Sequence, residues 1–182
     1  MEIETREIES EYKPVVDEKG FVKLKKKSKI SEGKKSKAAG GRFELKIRKD
    51  LEDKGWIVTK WANNLEPDVK NGKGWVMIPA KRKFNPFSKA LTIGTGFPDF
   101  VAFQKMSGDN DGSENEKIYH KVIGVEVKMN GTLSKIEKQK CKFLLDNKIF
   151  SEILIAKRGI KDGRKELVEY DDFKERYKKL FV

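Results

Sequence analysis

Two apolar runs joined by a polar stretch constrain this chain more than any other feature. "GFPDFVAFQK" (96–105) and "IYHKVIGVEVKM" (118–129) are rich in aromatic and β-branched residues, and "MSGDNDGSENEK" (106–117) between them is rich in turn formers. The pattern predicts two strands paired as an antiparallel hairpin through the 106–117 loop. Side chains alternate along the second strand, so Glu126 and Lys128 share a face with Val122 and Gly124, while Ile123, Val125 and Val127 point the other way. The Ile123 face is apolar enough to be the core side. Glu126 and Lys128 are then left projecting together near the strand's end, where Asn130 and Gly131 break it. Taken alone, the two charges read as a surface ion pair on a half-exposed strand, contributing little to stability.

The rest of the chain supplies partners for that hairpin. Phe43, Ile47 and Leu51 make one helical stripe that Gly55 stops, and "WIVTKW" (56–61) reads as a strand. Residues 62–92 read as an irregular insertion with Asn, Gly and Pro around the short run "WVMIPA". A second helix starts at Ser134, with Glu137 at capping-box spacing, and runs to Asn147. "SEILIAKRG" and "KELVEY" are two further strands, and "DDFKERYKKLF" is expected to close the chain as a helix with Phe173, Tyr177, Leu180 and Phe181 on one face. This order predicts an α/β fold with helices flanking a central mixed sheet. Residues 1–39, acidic to about position 20 and then basic, hold few large apolar side chains and are expected to be a charged, flexible arm ahead of one domain over 40–182.

At 182 residues the length suits one domain, and 41 Lys and Arg against 29 Asp and Glu leave a net charge of +12. An excess of that sign points to nucleic acid or an anionic membrane, since binding phosphates releases counterions. No apolar run approaches the roughly 18 residues of a membrane span. The acidic start "MEIETREIES" is no signal peptide, so a soluble, cytoplasmic protein is expected, in the host cytoplasm if the chain is viral. Surface charge networks of a hot environment would explain many charges, but not the excess of one sign. One cysteine, Cys141, and one histidine, His120, exclude an intrachain disulfide, a Cys/His zinc site and catalysis built on clustered histidines. Cys141 reads as a half-buried helix residue. His120 lies roughly 20 Å from Glu126 at strand rise and reads as structural.

Any metal must therefore be held by carboxylates. In an antiparallel hairpin Asp99, at the start of one strand, lies opposite the end of the other, beside Glu126. Two adjacent carboxylates repel unless a cation sits between them, and hard oxygen ligands suit Mg²⁺, with Mn²⁺ as a substitute. Glu44, on the flank of the first helix's apolar stripe, is a candidate third acid.

A helix with "GRFE", then "FPDF", then "VEVK", then a helix with "EKQK" resembles the PD-(D/E)XK nuclease superfamily, in particular archaeal Holliday-junction resolvases and related nucleases of archaeal viruses. The resemblance spans about residues 37–180. It implies a restriction-endonuclease-like fold, a central mixed β-sheet flanked by helices, and a divalent-metal-dependent DNA endonuclease acting in recombination or repair as a homodimer. It places Glu44, Asp99, Glu126, Lys128 and Gln139 in the catalytic site. Asp99, Glu126 and the backbone carbonyl of Val127 would hold the metal, with Glu44 reaching it directly or through water. Lys128 would position or help deprotonate the attacking water, and Gln139 would orient Lys128 or the scissile phosphate. A second Pro-Asp, Pro67–Asp68, sits among Asn and Gly with no apolar strand after it and is set aside.

For nucleic-acid contacts, Lys37 and Arg42 lie close in sequence to Glu44. Lys81, Arg82 and Lys83 are interleaved with Trp75, Phe84 and Phe87, as suits phosphate contacts beside stacking side chains. DNA and a second copy of the chain are the expected partners, with no membrane and no small-molecule cofactor. Two other readings stay open: a repair or restriction-like nuclease of the same superfamily with another DNA substrate, and a basic nucleic-acid-binding protein without catalysis.

Overall fold

The computed structural model describes residues 11–17, 20–69, 72, 74–80, 82–85, 90–93, 96–106, 119–163 and 165–181, with the backbone alone at 82–85, 90–93 and 165. The chain divides into two compact units between Glu44 and Leu45. In the first, β1 (Tyr12–Val16) and β2 (Val22–Lys26) form an antiparallel ribbon. Its turn is fastened by the Phe21 N–H donating to Asp17 Oδ1 at 2.9 Å, with Gly20 at φ 85 where a side chain would be strained. Helix α1 (Lys27–Asp53) follows and runs across the division. It begins well before the apolar stripe that reveals it in the sequence, because Lys, Glu and Ala favour helix without creating a periodic pattern. The region read as an arm at 1–39 thus includes a ribbon and the start of α1, while residues 1–10 lie outside the described residues.

The second unit is built on a five-stranded sheet in the order β11, β10, β9, β8, β3, comprising Lys165–Asp172, Glu152–Asp162, Tyr119–Val127, Phe100–Met106 and Ile57–Lys60. Strands β9 and β10 are parallel, joined through α2 (Lys135–Asp146), and the other neighbours are antiparallel, so the sheet is mixed and the class is α/β. The antiparallel β8–β9 pairing is the one the polar connection predicts. The loop itself, residues 107–118, lies outside the described residues.

Cross-strand partners share a face, and this locates the helices. Tyr170 pairs with Ala156, and Ala156 with Val127. The Tyr170 hydroxyl donates to Asp50 Oδ2 of α1 at 2.7 Å. The C-terminal part of α1, with Ile47 and Leu51 buried, therefore covers the face carrying Phe100, Ala102, Ile123 and Val125. On the opposite face Ile153 and Ile155 pack with Cys141, Leu144 and Leu145 of α2, Leu65 and Phe173. Each large aliphatic side chain so buried contributes about 1.5–3 kcal/mol.

Two regions differ from the sequence expectation. The stretch 62–92 contains two antiparallel hairpins: β4 (Asn63–Pro67) with β5 (Trp75–Pro79), and β6 (Arg82–Asn85) with β7 (Ala90–Ile93). Its glycines mark turns between short strands, as at Gly72 and Gly74, with φ 70 and 89. The C-terminus forms only a four-residue helix, α3 (Phe173–Arg176), and a 3₁₀ turn at Lys178–Leu180. Tyr177 breaks the helix at φ −119, ψ 40, so the Phe173, Tyr177 and Phe181 rings pack on one another at 5.1 and 6.0 Å from Phe173 while Leu180 is left exposed. Among the described residues no helix is long and apolar enough to cross a membrane.

Candidate active site

The β8–β9 ladder pairs Phe100 with Val125, so one step beyond it Asp99 faces Glu126. The Val127 N–H donates to Asp99 Oδ2 at 2.9 Å, tying the Asp99 side chain to the end of β9. The turn carrying Asp99 is held from the β3–β4 side: the Trp61 N–H donates to the Asp99 carbonyl at 3.2 Å, and the Phe97 N–H to the Asn63 carbonyl at 2.8 Å. Two glycines permit this approach. A Cβ on Gly96 would lie 2.1 Å from the Trp61 carbonyl oxygen, and one on Gly124 would lie 2.9 Å from Pro98 Cγ. Gly124 is on the Glu126 face of β9, so the missing side chain lets the Pro98 ring settle there and carries Asp99 to its position.

Glu126 is only 4% exposed and is the one buried charged side chain among the described residues. The half-exposed surface ion pair that the two charges suggest when taken alone is therefore not what the structure holds: α2 and the β4 region cover the Glu126 face as well, so both faces of β9 are interior at this point. Burial, followed by the charge on Asp99, pushes the Glu126 carboxyl up to about 8 against the opposing pull of Lys128. Its Oε1 lies 3.0 Å from Lys128 Nζ, whereas Oε2 is buried with no hydrogen-bond partner among the described residues. A buried polar atom left in that state is costly and calls for an explanation.

Lys128 is clamped from the other side by Glu137, whose Oε1 is 2.6 Å from Nζ. Burial alone would push the lysine down, but hydrogen bonds to Glu137 and Glu126 outweigh it and hold Lys128 above the ordinary lysine range. Glu137 is fixed by the capping box expected at the start of α2. Its Oε2 accepts from the Ser134 N–H at 2.7 Å, and its own N–H donates to Ser134 Oγ at 3.3 Å. Partial burial raises the Glu137 carboxyl, yet Lys128 and the Ser134 donors bring it below the usual carboxylate range.

Of the residues singled out in the sequence, the fold thus brings Asp99, Glu126, the Val127 main chain and Lys128 together. Gln139 is exposed on α2, and Glu137 engages Lys128 in the place assigned to it. Glu44 is half-buried on α1 as the last residue of the first unit, and Lys37 and Arg42 are exposed on the same helix. Lys81 lies outside the described residues, and Arg82 and Lys83 are described as backbone of β6 only. His120 is exposed, with its ring 6.4 Å from that of Phe103. Cys141 is fully buried rather than half-buried, and burial pushes its thiol up. Sequence reasoning missed Glu137 as a site residue, and it missed Lys140, whose Nζ donates to Asn64 Oδ1 at 2.7 Å. Helical spacing carries a signal for both: Glu137 lies four residues before Cys141 and Lys140 four before Leu144, on the buried side of α2.

Among the described residues no three His, Cys, Asp or Glu side chains converge into a group able to hold a metal ion. What the chain offers is a pair of carboxylates, Asp99 and Glu126, the second with an oxygen unpartnered among the described residues, and the Val127 main chain held against Asp99 through its N–H. That sparse all-oxygen set suits Mg²⁺, which keeps several waters and is typically bound by one or two carboxylates plus substrate phosphates. Compared with protein-family models, curated proteins and solved structures, the chain matches none.

Proposed function

We propose that this chain is a divalent-metal-dependent endodeoxyribonuclease with a restriction-endonuclease-like fold, acting on branched or duplex DNA as a homodimer. The observation that carries the reading is Glu126 Oε2, a buried carboxylate oxygen without a partner beside a second carboxylate. A protein that only bound nucleic acid would have no use for so unfavourable a group. Asp99, Glu126 and the Val127 carbonyl would hold Mg²⁺ or Mn²⁺, which when bound supplies Lewis-acid polarisation of the phosphate and activation of water. Lys128, kept charged by Glu137 and Glu126, donates hydrogen bonds to a phosphate oxygen or to the attacking water and offsets developing negative charge. It does so as a fixed cation, since its surroundings favour the protonated form, which takes up no proton. The net charge of +12 supplies affinity for the DNA backbone. A homodimer would place two such sites about a twofold axis, as symmetric cutting of a branched duplex requires.

The test is a panel of end-labelled duplex, single-stranded, flap and four-way-junction DNA incubated with Mg²⁺, Mn²⁺ or EDTA. Cleavage is expected with either metal, preferentially at the junction, and is abolished by EDTA and by Glu126→Ala. Cutting that persists in EDTA or survives Glu126→Ala overturns the mechanism. Predominant cutting of linear duplex, flaps or ends identifies a repair or restriction-like nuclease. Binding to every substrate without metal-dependent cutting identifies a non-catalytic binder.

A further inference from the structure

Two lysines stand near Glu126, and they are partnered differently. Lys128 lies between two acidic side chains, 3.0 Å from Glu126 Oε1 and 2.6 Å from Glu137 Oε1. Lys140, one turn along α2 from Glu137, is half-buried, and among the described residues it makes no ion pair. Its Nζ donates to the neutral Asn64 side chain at 2.7 Å and faces the Trp75 and Phe97 rings, with centroids at 5.7 and 5.4 Å. Burial pushes this ammonium down, and the carboxylates whose charge acts against that are Glu126 first, then Glu137 and Glu66. An amide dipole and two ring faces orient a cation without cancelling its charge.

The scaffolding is equally specific. Asn64 sits on β4, paired with Ile78 of β5, and the neighbouring Asn63 carbonyl accepts from the Phe97 N–H in the turn that carries Asp99. One hairpin therefore supports both the Asp99 turn and the Lys140 side chain. We propose that Lys140 is the cation of a phosphate subsite, engaging a phosphodiester group of a nucleic-acid strand on the α2 side of the Asp99–Glu126 pair, with Asn64 as its positioning residue. The nature of the anion rests on the nuclease reading. The placement of a half-buried cation that makes no ion pair among the described residues does not.

Lys140→Met, Lys140→Arg and Asn64→Ala variants separate these roles. Binding of labelled duplex and four-way-junction DNA is followed by fluorescence anisotropy in EDTA over a salt series, and cleavage is measured separately in Mg²⁺. Lys140→Met should weaken binding roughly tenfold and lower the slope of log K against log salt by about 1, as for the loss of one phosphate contact. Lys140→Arg should keep the slope. Asn64→Ala should also keep it, while lowering kcat more than it raises KM. Urea midpoints within error of the parent protein show that the variants are folded. A Lys140→Met protein that binds with the parental affinity and slope overturns the subsite, whatever its cleavage rate. A changed slope in a protein that cuts nothing leaves the subsite standing and removes the nuclease reading.

Discussion

Replacing Glu126 by Gln should make the metal-free protein more stable at alkaline pH, by an amount that follows from the burial of this one carboxyl. In the unfolded chain the group titrates near 4.5, and in the folded protein burial and Asp99 hold it up to about 8. Between those values the folded state keeps a proton that the unfolded state has lost. Stability therefore falls as pH rises, is complete below 4.5, and is fully lost above about 8. At 1.36 kcal/mol per pH unit, that interval amounts to on the order of 5 kcal/mol. Gln mimics the protonated acid in shape and never ionises, so its curve lacks this component. Urea unfolding in EDTA at intervals from pH 5 to pH 9 gives the comparison. The two proteins should be nearly equal at the acid end and diverge steadily until the variant is the more stable by several kcal/mol. A difference that stays constant within about 0.5 kcal/mol over the range, close to the usual scatter of surface substitutions, would show that Glu126 is not buried beside Asp99 as described. Adding Mg²⁺ at pH 8 should restore stability to the parent chain and not to the variant, because a ligand that binds only the folded state stabilises it by mass action.

Further expectations concern the groups around this carboxyl. Gly124→Ala should cost about 1–3 kcal/mol in urea unfolding, because the Pro98 ring that the new methyl meets is fixed to the backbone and cannot swing aside. An unchanged midpoint would show that the Asp99 turn is free to move. Glu137→Gln should retain the cap on Ser134 and stay within about 1 kcal/mol of the parent. It should nevertheless lose most cleavage, because Lys128 is no longer clamped by a second charge, and full activity would remove Glu137 from the site. Cys141 should resist thiol reagents in the native protein and react readily in denaturant, since it is fully buried and its thiol is pushed up. Rapid labelling in native buffer would contradict the packing of α2 on the sheet.

What could be read from the amino-acid order is what depends on local periodicity. The antiparallel β8–β9 pairing follows from two apolar runs on either side of a polar connection, and it sets the start of one strand, with Asp99, opposite the end of the other, with Glu126. The cap at Ser134 is likewise local. The burial of Glu126 is not, because a strand face is dry or wet according to what distant segments cover it, and here α2 and β4 do so. The side of α2 that faces Lys128 is legible in the sequence for a different reason. The buried positions Cys141, Leu144 and Leu145 define the inner side of α2, and 3.6-residue spacing turns Glu137 and Lys140 toward that side and Gln139 away. The hairpins within 62–92 and the early start of α1 are hidden because strands of four or five residues and a Lys-rich helix carry too little apolar rhythm to show a period.

The same few contacts that build the second unit also set the chemistry of its carboxylates. Covering the sheet with α2 stabilises the core through Cys141, Leu144 and Leu145, and it removes water from Glu126. The cap that starts α2 satisfies the Ser134 N–H, and the carboxylate that does so also holds Lys128. The helix cannot slip by a residue without losing both. Glu126 is thus held high by its surroundings, and on the proposed reading a cation arriving beside Oε2 would favour its ionised form, so proton release and cation binding would be coupled at this carboxylate. Cation affinity at the Asp99–Glu126 pair should therefore climb with pH up to about 8 and level off above it, in step with the loss of stability of the cation-free protein over the same interval.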